Sequence, residues 1–138
     1  MDVRYGHESD FEWLQEHDEH VNHEWIKRCL HHGEYILAVD EKNRRGFLRF
    51  SMFWGNIPYM DLIWITKNYR EKGIGSSLFL FWEKEMKKRK AKVLMTSSML
   101  DEPEPQKWHK RNGFMKCGQI TFGQEQPTSE IFFVKDLE

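Results

Sequence analysis

Cysteine, proline and long apolar runs are all scarce in this chain, and each scarcity closes off a class of function. The two cysteines, Cys29 and Cys117, stand far apart and form no C-x-x-C pair, so neither a zinc site nor a disulfide framework is signalled, and reduced thiols in a cytoplasm are the expectation. The first residues, "MDVRYGHESD", hold acids and no apolar run of signal-peptide length. Nothing approaches the roughly 18 apolar residues of a membrane span. The four prolines and nine glycines are dispersed, leaving no interdomain linker, repeat or low-complexity tract. A cytosolic protein is expected, with no membrane partner. At 138 residues it forms one domain, long enough to bury roughly two thirds of its unfolded surface.

Aromatic residues are plentiful instead. Six Trp and ten Phe imply an aromatic-rich core. The net charge of −1 conceals an asymmetry: residues 1–32 carry −5 and the remainder +4. One end therefore favours cations and the other anions. The basic run "EKEMKKRKAK" alternates with acids at the polar end of a helix, where cations complement the helix dipole. It reads as a solvated face and not as a nucleic-acid stripe.

Periodicity gives the element order. "RYGHES" reads as a first strand, and Ser9 with Glu12 as a capping box opening a helix near Asp10. "VNHEWIKRCLHH" is a second helix ending at Gly33. "EYILAVD", "RRGFLRFSMFW" and "IPYMDLIWIT" form an antiparallel meander, with "GN" at 55–56 marking the second hairpin. From Gly75 the period changes, and Ile74, Leu78, Phe81, Trp82 and Glu85/Met86 outline an amphipathic helix. A strand "AKVLMTSS", a short helix "EPQKWHKRN" and two strands, "FMKCGQITF" and "EIFFVKD", close the chain.

Between the fourth strand and the long helix lies "YREKGIGSS", residues 69–77. A helix N-terminus offers unpaired N–H groups and about half a positive charge, and glycines let an anion approach the backbone. The stretch is no Walker loop, and Leu78 stands where a dinucleotide fingerprint needs its third glycine. A tight strand-to-helix turn accounts for the two glycines as well as a phosphate cradle does.

The wider pattern is more specific. An apolar strand, "NYREKGIGSSLF", a second strand and a helix ending "WHKRNGF" resemble the GNAT superfamily of acyl-CoA-dependent N-acetyltransferases. That family carries Arg/Gln-x-x-Gly-x-Gly/Ala after a strand and a later aromatic-Tyr-x-x-x-Gly-Phe segment. Arg70, Gly73 and Gly75 match the first, and Trp108, Gly113 and Phe114 the second. The resemblance implies an α/β (α+β) fold: a mixed, mostly antiparallel sheet of six to seven strands flanked by about four helices, with the fourth and fifth strands splayed into a V. Acetyl-CoA is the implied co-substrate, with no metal. Backbone groups of Ile63, Trp64 and Ile65 are implied to hold pantetheine and thioester, and the segment Arg70, Glu71, Lys72, Gly73, Ile74, Gly75 and Ser76 the pyrophosphate. The implied reaction is acetyl transfer to a primary amine by direct attack in a ternary complex. A non-catalytic acyl-CoA-binding or sensory module is the rival reading.

Such chemistry sets demands on side chains. A lysine-like amine with pKa near 10.4 is neutral about once in 10³ at pH 7, a penalty of roughly 4 kcal/mol unless a base helps. Asp61 is the only acid in the fourth strand and shares the parity of Tyr59, Ile63 and Ile65; it is the expected base. The departing thiolate is protonated in the family by the tyrosine of the second segment. His109 replaces it here and is the expected acid, since imidazole donates near neutral pH. Gly73 and Gly75 are expected to matter for cofactor approach and not for folding. The acidic first third, with Glu16, Asp18, Glu19 and Glu24, suits a cationic small-molecule or peptide amine. Oligomeric state, homodimer included, is open.

Overall fold

The computed structural model describes residues 1–138. Seven strands form one mixed sheet in the order β1-β2-β3-β4-β5-β7-β6. In chain order they are β1 Asp2–Tyr5, β2 Tyr35–Asp40, β3 Asn43–Phe53, β4 Ile57–Ile65, β5 Val93–Met99, β6 Met115–Ile120 and β7 Glu130–Asp136. Four helices, α1 Phe11–His17, α2 His23–His31, α3 Ile74–Lys88 and α4 Pro103–Arg111, accompany them. None is long and apolar enough to cross a membrane. Backbone contacts group the chain into two compact units, Met1–Ser51 with Leu62–Glu85 and Met52–Asp61 with Met86–Glu138.

In the first unit, β1 pairs antiparallel with β2 from Asp2↔Val39 to Tyr5↔Ile36, and β2 with β3 through a bulge at Ala38/Val39. The first strand ends earlier than expected. The Asp10 carboxylate accepts the His7 N–H at 2.7 Å and bends the chain into a 3-10 turn, Glu8–Asp10, ahead of α1. Asp10, and not Ser9, thus organises this helix start. Fully buried, it also takes Arg4 at 2.8 Å and Arg44 at 2.6 Å. Burial alone pushes a carboxyl pKa up, but these donors together hold it at about 2. Asn22 caps α2 by accepting the Trp25 N–H at 2.9 Å.

The core here gathers Leu14, Ile26, Cys29, Tyr35, Leu37 and Phe47, with Leu62 and Trp64 of β4 packed against it. Gly46 permits that packing. A Cβ built there would stand 2.8 Å from the Trp64 carbonyl oxygen and 2.8 Å from Ile65 Cδ1, so only hydrogen lets the backbones of β3 and β4 approach so closely. The buried stripe of α3 is Ile74, Leu78, Phe79, Trp82 and Met86. The sequence period singles out Phe81, but Phe79 takes the deeper place, while Phe81 stays half-buried with its ring 5.6 Å from that of Tyr5.

In the second unit, β5 pairs with β7 from Val93↔Asp136 to Met99↔Glu130, and β6 lines the outer side of β7. The β3–β4 hairpin turns at Trp54 and Gly55, with φ of 56° and 76°. The turn falls one residue before "GN", because positive φ at both central residues is what matches the strand twist. β4 runs parallel to β5, with register only at Tyr59↔Met95 and Met60↔Thr96. So short a pairing between strands of nine and seven residues agrees with the splay expected of them.

Candidate active site

The fourth strand delivers the chain to the glycine loop through a set of locks, all within the first unit. Trp64 turns its indole into an aromatic cluster, 5.8 Å from Phe47, 6.1 Å from Trp13 and 5.2 Å from His17. At the strand end the Thr66 N–H bonds the Arg45 carbonyl at 2.9 Å. Arg70 then folds back, its Nε–H donating to the Ile65 carbonyl at 2.9 Å. One hydrogen bond thereby ties the expected pyrophosphate segment to the expected thioester strand. Tyr69 is held between cations, with the Arg45 guanidinium 3.8 Å and the Lys72 ammonium 5.5 Å from its ring.

Two left-handed residues shape the loop itself. Gly73 has φ of 84° and Glu71, without glycine's freedom, 62°. Left-handed geometry in an ordinary residue costs on the order of 1 kcal/mol and concentrates at functional sites. Nothing lies within 4 Å of a Cβ placed on Gly73, and residues 70–73 and 76 are exposed, so an anion has room to seat on the amides. Ser77 closes the turn, its N–H and hydroxyl both bonding the Gly73 carbonyl, at 3.0 and 3.1 Å. Ile74 is buried, leaving only its backbone to a ligand, while Gly75 and Ser76 belong to the first turn of the 15-residue α3. The chain thus fits a pyrophosphate. The φ of Gly73 also corrects the expectation that this glycine is dispensable for folding.

The acidic wall is narrower than its composition implies. An open depression of ≈ 490 Å³ is lined by Gln15, Asp18, Glu19, Val21, Asn22, His23 and Glu24. Asp18, however, is buried and bound to the Tyr35 hydroxyl at 2.6 Å and to Arg49 Nε at 2.7 Å. Burial and this carboxylate push the Tyr35 pKa up. Glu19 and Glu24 are the carboxylates left to face a cation.

The two expected proton-transfer residues lie in the second unit. Asp61 is half-buried on β4. His109 occupies the last turn of α4, 5 % exposed, its ring 5.3 Å from Phe133, 6.0 Å from Phe114 and 5.8 Å from Trp108. Burial lowers its pKa to about 4, against a smaller opposing effect of a hydrogen bond to the Ser97 backbone. Its Nδ1 is buried without a partner. At neutral pH this is an uncharged imidazole whose one N–H serves Ser97, which places it far from the ready acid its position in the motif suggests.

A neighbouring hydroxyl chain escapes sequence reasoning altogether. Tyr59 of β4 meets Ser97 of β5 at 2.5 Å between oxygens, and the Ser97 hydroxyl donates to Glu130 of β7 at 2.5 Å. These three residues come from three strands far apart in sequence, so no spacing signals them. Only the parity of Tyr59 pointed toward this face.

Comparisons with known proteins accord with the geometry. The model of the "Acetyltransferase (GNAT) family" matches residues 2–114. A search of curated proteins finds no match. Among solved structures, Ard1 from Thermoplasma volcanium superposes with a TM-score of 0.86 at 12 % identity, covering 99 % of this chain and 97 % of that one. A ribosomal-protein-alanine N-acetyltransferase from Brucella melitensis gives 0.80 at 20 %, covering 99 % and 100 %. An aminoglycoside 6'-N-acetyltransferase complexed with coenzyme A gives 0.79 at 13 %, covering 99 % and 97 %.

Proposed function

Because this chain belongs to the GNAT acetyltransferase family, we propose that it moves an acetyl group from acetyl-CoA to a primary amine by direct attack in a ternary complex. One observation carries the reading: the Arg70 to Ile65 hydrogen bond ties a strand to an open, left-handed loop that heads a long helix. Acetyl-CoA supplies an activated acyl group and a good leaving group. The chain's own residues do the rest. Backbone groups of Ile63, Trp64 and Ile65 orient the pantetheine arm and the thioester, and amides from Glu71 to Ser76 neutralise the pyrophosphate. Arg70 and Lys72 add formal charge.

Asp61, on the same strand as the thioester-orienting residues, is the proposed base. His109 is the proposed donor to the sulfur only if its single N–H leaves Ser97. Otherwise a thiol with pKa near 8.5 departs as thiolate with little penalty at pH 7. The neutral, buried imidazole favours one specific rival, a module that binds acyl-CoA without turnover. The acceptor is a small-molecule or peptide amine. Similar structures bear names from both classes, one for a ribosomal-protein alanine and one for an aminoglycoside, and Glu19 and Glu24 suit a cationic substrate.

Calorimetry with acetyl-CoA tests the common part: saturable binding is expected, and its absence at high micromolar ligand removes both readings. Thiol release across a panel of amines and N-terminal peptides then separates them. Binding without release for any acceptor selects the silent module.

A further inference from the structure

The acetyl-transfer reading leaves one cation of the first unit without a task. We propose that Arg45, stacked on Tyr69 beside the glycine loop, binds the 3'-phosphate of coenzyme A and makes the protein select the complete cofactor over its dephospho form. The inference rests on the acyl-CoA reading and deepens it.

Arg45 stands apart from the arginines around it. Arg4 and Arg44 share Asp10 at 2.8 and 2.6 Å, Arg49 bonds Asp18 at 2.7 Å, and even the exposed Arg28 meets Glu34 at 2.9 Å. Arg45 is half-buried on β3, yet it pairs with no carboxylate. Its Nε is buried and makes no hydrogen bond. A guanidinium partly withdrawn from water gives up hydration, and no anion of the chain compensates that loss here. The charge is complete only with a ligand.

The geometry suits a phosphate. The Arg45 carbonyl accepts the Thr66 N–H at 2.9 Å, which fixes its backbone at the end of β4, where the chain turns through residues 67–69 into the loop. The guanidinium lies over the Tyr69 ring at 3.8 Å. That contact uses the face of the group and leaves the terminal N–H groups at its edge, the fork from which phosphate oxygens accept in pairs. Tyr69 is itself anchored, its N–H donating to the Thr66 carbonyl at 2.9 Å. Lys72 reaches back from the loop to the same ring, 5.5 Å away, and adds a second cation. Glu71, the only acid from Thr66 to Ser77, is exposed and pairs with neither.

The chemistry of the cofactor selects which phosphate. The loop amides from Glu71 to Ser76 already serve the pyrophosphate in this reading. Coenzyme A carries one phosphate more, a monoester on the 3' oxygen of the ribose, and that ribose is joined directly to the pyrophosphate. A group so attached comes to rest within a side chain's length of the loop, where Arg45 and Lys72 stand. A monoester carries roughly −1.5 to −2 charge at neutral pH and three free oxygens, more than either unit of the pyrophosphate offers to a fork.

Calorimetry with coenzyme A and with dephospho-coenzyme A, on wild type and on Arg45→Gln, reads the contact directly. Wild type should bind coenzyme A about tenfold or more tightly than the dephospho form, the worth of one charge-assisted contact. Arg45→Gln should bring the two affinities within about twofold of each other by weakening coenzyme A alone. Each ratio is taken within one protein sample, so a partly unfolded variant does not disturb it. Near-equal affinities in wild type would show that the 3'-phosphate is not read, and a ratio unchanged in Arg45→Gln would assign its reading to another group. Equal weakening of both ligands would place Arg45 on the pyrophosphate. Each of these three results overturns the inference and leaves the acyl-CoA reading standing. Binding of neither ligand by wild type removes the acyl-CoA reading, and the 3'-phosphate site with it.

Discussion

Acidification should destabilise this protein well before its carboxylates titrate, and one histidine sets the size of the effect. His109 is 5 % exposed among Phe114, Phe133 and Trp108, and desolvation lowers its pKa from 6.5 to about 4 in the folded state. Between those values the unfolded chain binds a proton that the folded chain refuses. Stability therefore falls as pH drops from 6.5 to 4 and is untouched by this group above 6.5. At roughly 1.4 kcal/mol per pH unit the loss reaches about 3 kcal/mol, a large share of a typical folding free energy. Urea midpoints at pH 7, 6, 5 and 4, at constant m-value, measure it. His109→Phe supplies the control. It fills the aromatic site, removes the titrating group and should flatten the profile over this range. Asp10 does not interfere, since its contribution is lost below about pH 4 in both proteins. Parallel wild-type and variant curves from pH 6.5 to 4 would show that the imidazole is charged when folded, and the burial argument would fail. The same variant tests the acid role: undiminished turnover at pH 8 removes His109 from the chemistry.

Three further outcomes are expected. Gly73→Ala should lower the melting temperature, since φ of 84° strains any side chain by about 1 kcal/mol. Gly75→Ala, in the first turn of α3, should leave stability level or slightly raised; if both weaken acetyl-CoA binding in calorimetry the loop is a cradle, and if neither does it is a plain turn. Asp10→Asn should cost about 2 kcal/mol at pH 7, the worth of holding that carboxyl at about 2, and the difference from wild type in urea should shrink as pH falls from 4 toward 2. A thiol reagent should label the exposed Cys117 promptly in the native protein and the buried Cys29 only after unfolding. Equal labelling rates would contradict the core placement of Cys29.

The element order, the glycine loop and the family were legible in the sequence, because each is written in local periodicity or in contiguous motif residues. Boundaries moved where a side chain outside the local pattern took control: Asp10 drew in the His7 N–H and ended β1 at Tyr5, four residues before its expected end, and Trp54 with Gly55 took the left-handed turn one residue early. Tertiary structure alone decided protonation. His109 reads as an acid from its place in the motif, but desolvation by Phe114 and Phe133 makes it neutral, and no local rule reports what will cover a side chain. Asp18 reads as a free acid in an acidic stretch, yet Tyr35 and Arg49 claim it from β2 and β3. Tyr59, Ser97 and Glu130 meet only because strand order places β4, β5 and β7 side by side. Sequence determined what the backbone does, through short-range sterics and periodic burial; packing between distant segments decided which side chains are charged, which are committed, and which remain to meet a substrate.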